Sequence, residues 1–211
     1  MANSFFPFNT CEKPDTNNLI AQPVSASINL LSCIILLFLL CKAKTLIIKL
    51  LILTFIAFQL FHAFSHSKHI DGDIQTYIIH AIWYLVSFMI LFANKILIKK
   101  NIGNNTILLL FFIIIVDLYI LFNTDKSLIA FTAFSIPTII ILSYYNNYKK
   151  NIKRNIHIIF ILLIILSILL LNEKFNCNAM MAYYVFPYHI FVEIMGLLLF
   201  TMLAYTFLLL E

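Results

Sequence analysis

Seven long apolar runs leave this chain little choice of fold. They cover about 25–42, 45–67, 74–97, 105–123, 127–146, 155–172 and 183–210 of its 211 residues. A helix that crosses a bilayer needs roughly 20 mostly apolar residues. Inside hydrocarbon every backbone N–H and C=O must be paired within its own segment, so such runs must be helical. The period-two alternation of an outer-membrane barrel is absent. Only 11% of the residues are charged against 63% hydrophobic, too little charge to cover a soluble domain of this length. The expected class is all-α, a seven-transmembrane helix bundle over 25–211 behind a polar N-terminal arm, 1–24. That arm has no uninterrupted apolar core, so the first helix is expected to act as its own insertion signal.

The net charge of +5 is unevenly spread. Lys42, Lys44, Lys49, Lys95, Lys99, Lys100, Lys149, Lys150, Lys153 and Arg154 border the first, third and fifth connections. The other face carries only Lys13, Lys68, Lys126 and Lys174, together with Glu12, Asp15, Asp71, Asp73, Asp125 and Glu173. The positive-inside rule therefore predicts an exoplasmic or lumenal N-terminus and a cytosolic C-terminus. This distribution explains the basicity by topology and does not call for a nucleic-acid partner. Cys11 and Cys177 then both face the oxidising side, so a disulfide between them is expected, with two free thiols as the alternative. Cys33 and Cys41 read as packing residues of the first helix.

Ionisable groups inside a membrane are costly and mark function. Here they are His62 in helix 2, His80 in helix 3, Asp117 in helix 4, and His189 and Glu193 in helix 7. At 1.5 Å per residue all lie roughly 10–15 Å below the outer surface, so four helices contribute polar groups to one layer. His189 and Glu193 are four apart and share a helix face. With His62 and His80 they make three imidazoles and a carboxylate, a donor set suited to a catalytic zinc ion. Such an ion acidifies a water and polarises a carbonyl, and Glu193 or Asp117 is placed to act as general base. His66 and His69 follow His62 toward the rim and read as interfacial or supporting residues. Asp73 stands at the membrane border, where a solvated helix N-terminal carboxylate is the ordinary case.

These residues carry a resemblance to the alkaline ceramidase family, within a larger group of seven-helix membrane hydrolases and adiponectin-receptor-like proteins. Cys11-Glu12, Ile20-Ala21-Gln22, Asn29, Phe61-His62, Gln75, Asn172-Glu173 with Cys177, and His189-x-x-x-Glu193-x-x-Gly196 each resemble a short family motif. The resemblance implies a disulfide between the matching cysteines, bound zinc, and hydrolysis of the amide of an N-acyl sphingoid lipid. Phe58 stands where the family has Ser, Glu193 where it has a second His, and the helix 3 Asp is matched by Asp73 only on spacing. The resemblance therefore implies an exchange in which His80 supplies the missing imidazole and Glu193 the missing carboxylate. The implied metal set is His62, His80 and His189, with Glu193 and Asp73 as catalytic residues. The family's calcium-binding arm is eroded, since Gln22 replaces an acid and Asn9 and Pro14 stand where stronger ligands are expected, so the support for Ca2+ is weak.

The leading expectation is a zinc-dependent amidase acting on a membrane lipid, in an endoplasmic reticulum or Golgi-type membrane if the source is eukaryotic. The alternative is a receptor-like or structural seven-helix protein that keeps its metal as a staple. A proton-coupled carrier is disfavoured by the absence of internal repeats and broken helices. A retinal protein is disfavoured because Tyr183–Leu210 contains no lysine.

Overall fold

The computed structural model describes residues 20–67, 72–123, 129–183 and 188–211, without the side chains of 72–76, 123, 129–133, 174 and 178–183. Among them are seven α-helices and no strands: α1 (Pro23–Lys42), α2 (Leu46–Ser67), α3 (Gly72–Ile98), α4 (Asn104–Asn123), α5 (Ile129–Ser143), α6 (Lys150–Tyr183) and α7 (His189–Leu208). A 3-10 turn, Tyr145–Asn147, precedes α6. The all-α class therefore holds.

Six helices, rather than the seven expected, are long and apolar enough to cross a membrane. The exception is α5. Its 15 residues rise only about 22 Å, less than the ~30 Å hydrocarbon core, and the residues before it, 124–128, lie outside the description. These six helices make the chain a multi-pass integral membrane protein in character. The stretch 173–182, read from sequence as a connection, is instead helical: α6 runs on beyond its apolar part, which ends at Glu173, with a break at Asn176 (φ −123°, ψ 15°).

The polar face of α1 sets how the bundle closes around its site. Pro23 opens the helix at its first position, where a missing N–H costs nothing. Gln22, Ser25, Asn29 and Ser32 then recur at steps of three and four, and all are buried. Small and polar residues of this kind let transmembrane helices approach closely and bond across the interface. Here α1 packs against both α2 and α7. Its entry is clipped to the end of α2 by Gln22 N–H to His66 C=O at 2.9 Å and Ala21 N–H to Ser67 C=O at 3.1 Å. α2 also contacts α3 and α7, α6 lies on α7, and α5 bridges α3 and α4. Below the polar layer the interior is apolar, with Leu36, Ile48, Leu51, Ile52, Phe55, Val86, Ile90 and Leu199 fully or almost fully buried.

Candidate metal centre

His62, His66, His189 and Glu193 converge at the end of the bundle where α1 begins and α2 ends. One ligand atom from each lies within 4.8 Å of all the others, so the group can hold one metal ion. His62 and His66 are four apart on α2, and His189 and Glu193 four apart on α7, so each helix offers two donors on one face. Glu193 Oε1 is the common point. It lies 3.1 Å from His62 Nε2, 3.0 Å from His66 Nε2 and 2.8 Å from His189 Nε2. His62 is partly exposed, and the other three are buried.

Supporting bonds fix which nitrogen each ring turns inward. His66 Nδ1–H donates to Gln22 Oε1 at 2.6 Å, and His189 Nδ1–H donates to Glu173 Oε1 at 2.8 Å. A neutral imidazole carries one proton, so both rings turn an Nε2 lone pair toward the centre. Asn29 Nδ2 donates to Glu193 Oε2 at 2.7 Å and leaves Oε1 pointing inward. Metal-ligating histidines characteristically hold their second nitrogen in this way. His62 lies parallel to Phe58, with ring centroids 5.8 Å apart.

Two features favour a cation at the centre. Lone pairs on His66 and His189 facing a carboxylate oxygen repel unless a proton or a metal ion lies between them. His189 Nε2 is buried without a hydrogen bond among the described residues, although Glu193 Oε1 is 2.8 Å away. The second feature is spacing. His62 and His66 Nε2 are 3.2 Å apart, whereas two ligands about 2.0–2.1 Å from a tetrahedral ion sit about 3.3 Å from each other. Three imidazoles and one carboxylate suit zinc or another transition metal. They do not suit calcium, which takes six to eight oxygens. Of the weak calcium arm, residues 9–15 lie outside the description, and the Gln22 carbonyl oxygen is taken by His66.

The group differs from the expected ligand set at one position: His66, rather than His80, lies with His62 and His189 around Glu193. His80 Nε2 lies instead 2.9 Å from Asp117 Oδ2, and Tyr84 O–H donates to the same oxygen at 2.6 Å. His80 and Tyr84, four apart, turn one face of α3 toward α4. Trp83, about a quarter-turn round, packs on Phe58 and Phe200 of α2 and α7. The face of α3 nearest the metal group is therefore occupied by an indole. Asp117, placed from sequence as a proton shuttle, belongs to this separate pair. Asp73 stands in the first turn of α3, with its side chain outside the description.

From sequence His66 reads only as an interfacial or supporting residue, and Gln22 and Asn29 are not marked as parts of the site. The four-residue spacing of His62 and His66 was the available signal, the same one that singled out His189 and Glu193. Among the described residues Cys33 and Cys41 are free thiols, while Cys11, one half of the expected disulfide, lies outside the description. No family model, no curated protein and no solved structure matches the chain.

Proposed function

We propose that this protein is a zinc-dependent intramembrane hydrolase that cleaves the amide of an N-acyl lipid, in the manner of the ceramidases it resembles. The observation that carries the reading is the convergence of His62, His66, His189 and Glu193 on one point inside the bundle. A bound zinc ion would supply carbonyl polarisation and a water acidified toward neutral pH. With the ion held by the three imidazoles, Glu193 would take a proton from the attacking water and return it to the departing nitrogen as the C–N bond breaks. Asn29 holds the other carboxylate oxygen and so fixes the direction in which the base points. Gln22 and Glu173 keep His66 and His189 in the tautomer that presents Nε2. The lipid's acyl chain enters from the bilayer. Asp73 is a second candidate carboxylate, tested by Asp73→Asn.

The reading includes seven spans with an exoplasmic N-terminus, a Cys11–Cys177 disulfide tying the arm over the mouth of the bundle, and residence in an endomembrane if the source is eukaryotic. One observation favours a second reading. Glu193 Oε1 reaches all three imidazoles, and four protein donors is the count of a closed, structural zinc site. Turnover of a fluorescent ceramide by the purified protein separates the two. On the hydrolase reading the wild type releases fatty acid and Glu193→Gln loses at least about a hundredfold in rate while keeping its metal. A wild type without turnover, whose Glu193→Gln form loses both metal and thermal stability, supports the staple.

A further inference from the structure

The end of the bundle opposite the metal centre gathers two cation clusters that the sequence keeps far apart. Lys95, Lys99 and Lys100 close α3, and Lys149, Lys150, Lys153 and Arg154 open α6. Lys100 Nζ donates to Asn147 Oδ1 at 2.8 Å, and Tyr144 O–H donates to the Lys100 carbonyl at 3.0 Å. Tyr148 O–H donates to Asn94 Oδ1 at 2.6 Å, deep in the bundle. Tyr144, Tyr148 and Asn94 are buried, so the α5–α6 connection is pinned to the end of α3 by its tyrosines.

Lys99 adopts φ 58°, a left-handed conformation that a non-glycine residue pays for sterically. Lys95, Lys99, Lys100, Lys149, Lys150 and Arg154 are all exposed. Lys153 lies over the Tyr145 ring, 5.1 Å from its centroid, and Tyr145 Oη is 2.7 Å from His157 Nε2.

Neither 94–106 nor 143–158 contains an Asp or Glu. Seven cations thus lie at the end of α3 and the start of α6, which the Lys100–Asn147, Tyr144–Lys100 and Tyr148–Asn94 bonds join, with no carboxylate from either segment and with Asn101, Asn104 and Asn146 also exposed. Their counter-charge must come from outside the two segments. Orientation in the membrane accounts for cations near these helix ends. It does not require that two clusters be bonded into one surface.

We infer that this platform binds the phosphomonoester headgroup of an anionic membrane phospholipid. A lipid is favoured over a soluble anion because apolar side chains continue the patch toward the bilayer: Ile96, Leu142, Ile158 and Ile161 are exposed within about a turn or two of the cations. The cations take the phosphate, and the apolar row takes the acyl chains. A phosphomonoester carries up to two charges on one group, which suits several cations converging from two segments.

The test uses the full-length protein in detergent and native mass spectrometry. The probes are dioctanoyl phosphatidic acid, dioctanoyl phosphatidylcholine and glycerol 3-phosphate. The expected result is retention of phosphatidic acid at least about tenfold above the other two. The paired variants Lys99→Gln/Lys100→Gln and Lys149→Gln/Lys150→Gln should each lower that retention about tenfold. Lys42→Gln/Lys49→Gln, at the same end of the bundle, should leave it within about twofold. Equal retention of phosphatidylcholine overturns the inference, as does equal retention of glycerol 3-phosphate, which would mark a soluble-anion site. An equal loss in the Lys42/Lys49 control also overturns it, since bulk charge would then be the cause. Should the paired variants fail to fold, the three-probe comparison on the wild type decides the matter.

Discussion

His66 turns Nδ1 to Gln22 Oε1 at 2.6 Å and so points Nε2 at Glu193, 3.0 Å away. The same residue pair joins α1 to α2 a second time, through the Gln22 N–H and the His66 C=O. The residue at the entry of α1 thus sets the orientation of a ligand on α2. Gln22→Leu leaves His66 Nδ1 without its partner. It should weaken metal affinity by about 10–100-fold, and Glu173→Leu should do the same through His189. Chelator competition on the purified protein measures both. Affinities within twofold of wild type would remove the supporting role of these residues.

His80 and Asp117 make a buried pair whose value lies in being whole. His80→Leu takes the imidazole from the buried Asp117 carboxylate, which keeps the Tyr84 hydroxyl, and should destabilise by about 3 kcal/mol. The double variant His80→Leu/Asp117→Leu removes both partners and should recover most of that loss. Thermal unfolding in detergent reads the cycle. Additive losses in the double variant would show that the two side chains do not act as a pair.

Much of this architecture was legible in the sequence, and for a physical reason. Backbone groups cannot go unpaired in hydrocarbon, so apolar runs of sufficient length dictate helices wherever they occur. The seven runs place all seven helices. Among the described residues only α5 falls short of a full span. The layer of polar residues was also legible, because His62, His189 and Glu193 do meet. What the sequence left open was rotation about each helix axis. Depth counts residues, but facing depends on which neighbour each helix packs against. His80 has the right depth, yet its face of α3 is turned to Asp117 on α4. His66 sits a turn nearer the rim and reaches the centre because α1 and α7 close over it. Gln22 was legible only as a lost calcium ligand, since its partner lies 44 positions away.

Glu211 accepts from the backbone N–H of Thr45 at 2.8 Å, its hydroxyl at 2.6 Å, and the backbone N–H of Lys44 at 2.9 Å. It thereby anchors the turn that starts α2. Burial raises the Glu211 pKa, but the hydrogen bonds from Thr45 and Lys44, with the Lys44 charge, outweigh it and hold the carboxyl below its usual range. The folded state therefore favours the ionised form. The resulting stability is fully present above the ordinary carboxylate pKa and is lost as pH falls through the depressed one. Because the site is exposed, the effect should be about 1 kcal/mol or less. Glu211→Gln should flatten this part of the stability profile below neutral pH. An unchanged acid limb in that variant would contradict the anchoring.

Gly196 sits within α7, and a Cβ built on it meets nothing within 4 Å. No close approach requires glycine there. Gly196→Ala should stabilise the helix by about 0.5–1 kcal/mol, by restricting the unfolded chain, without loss of metal. A loss of stability on thermal unfolding would show that the position serves a contact outside the described residues.

Metal content by elemental analysis tests the central assignment most directly, on the wild type, His66→Ala and His80→Ala purified without added chelator. The account predicts about one zinc per chain in the wild type and in His80→Ala, and its loss in His66→Ala. Retention of metal in His66→Ala together with loss in His80→Ala would contradict it. So would a metal-free wild type whose thermal stability is unmoved by added zinc.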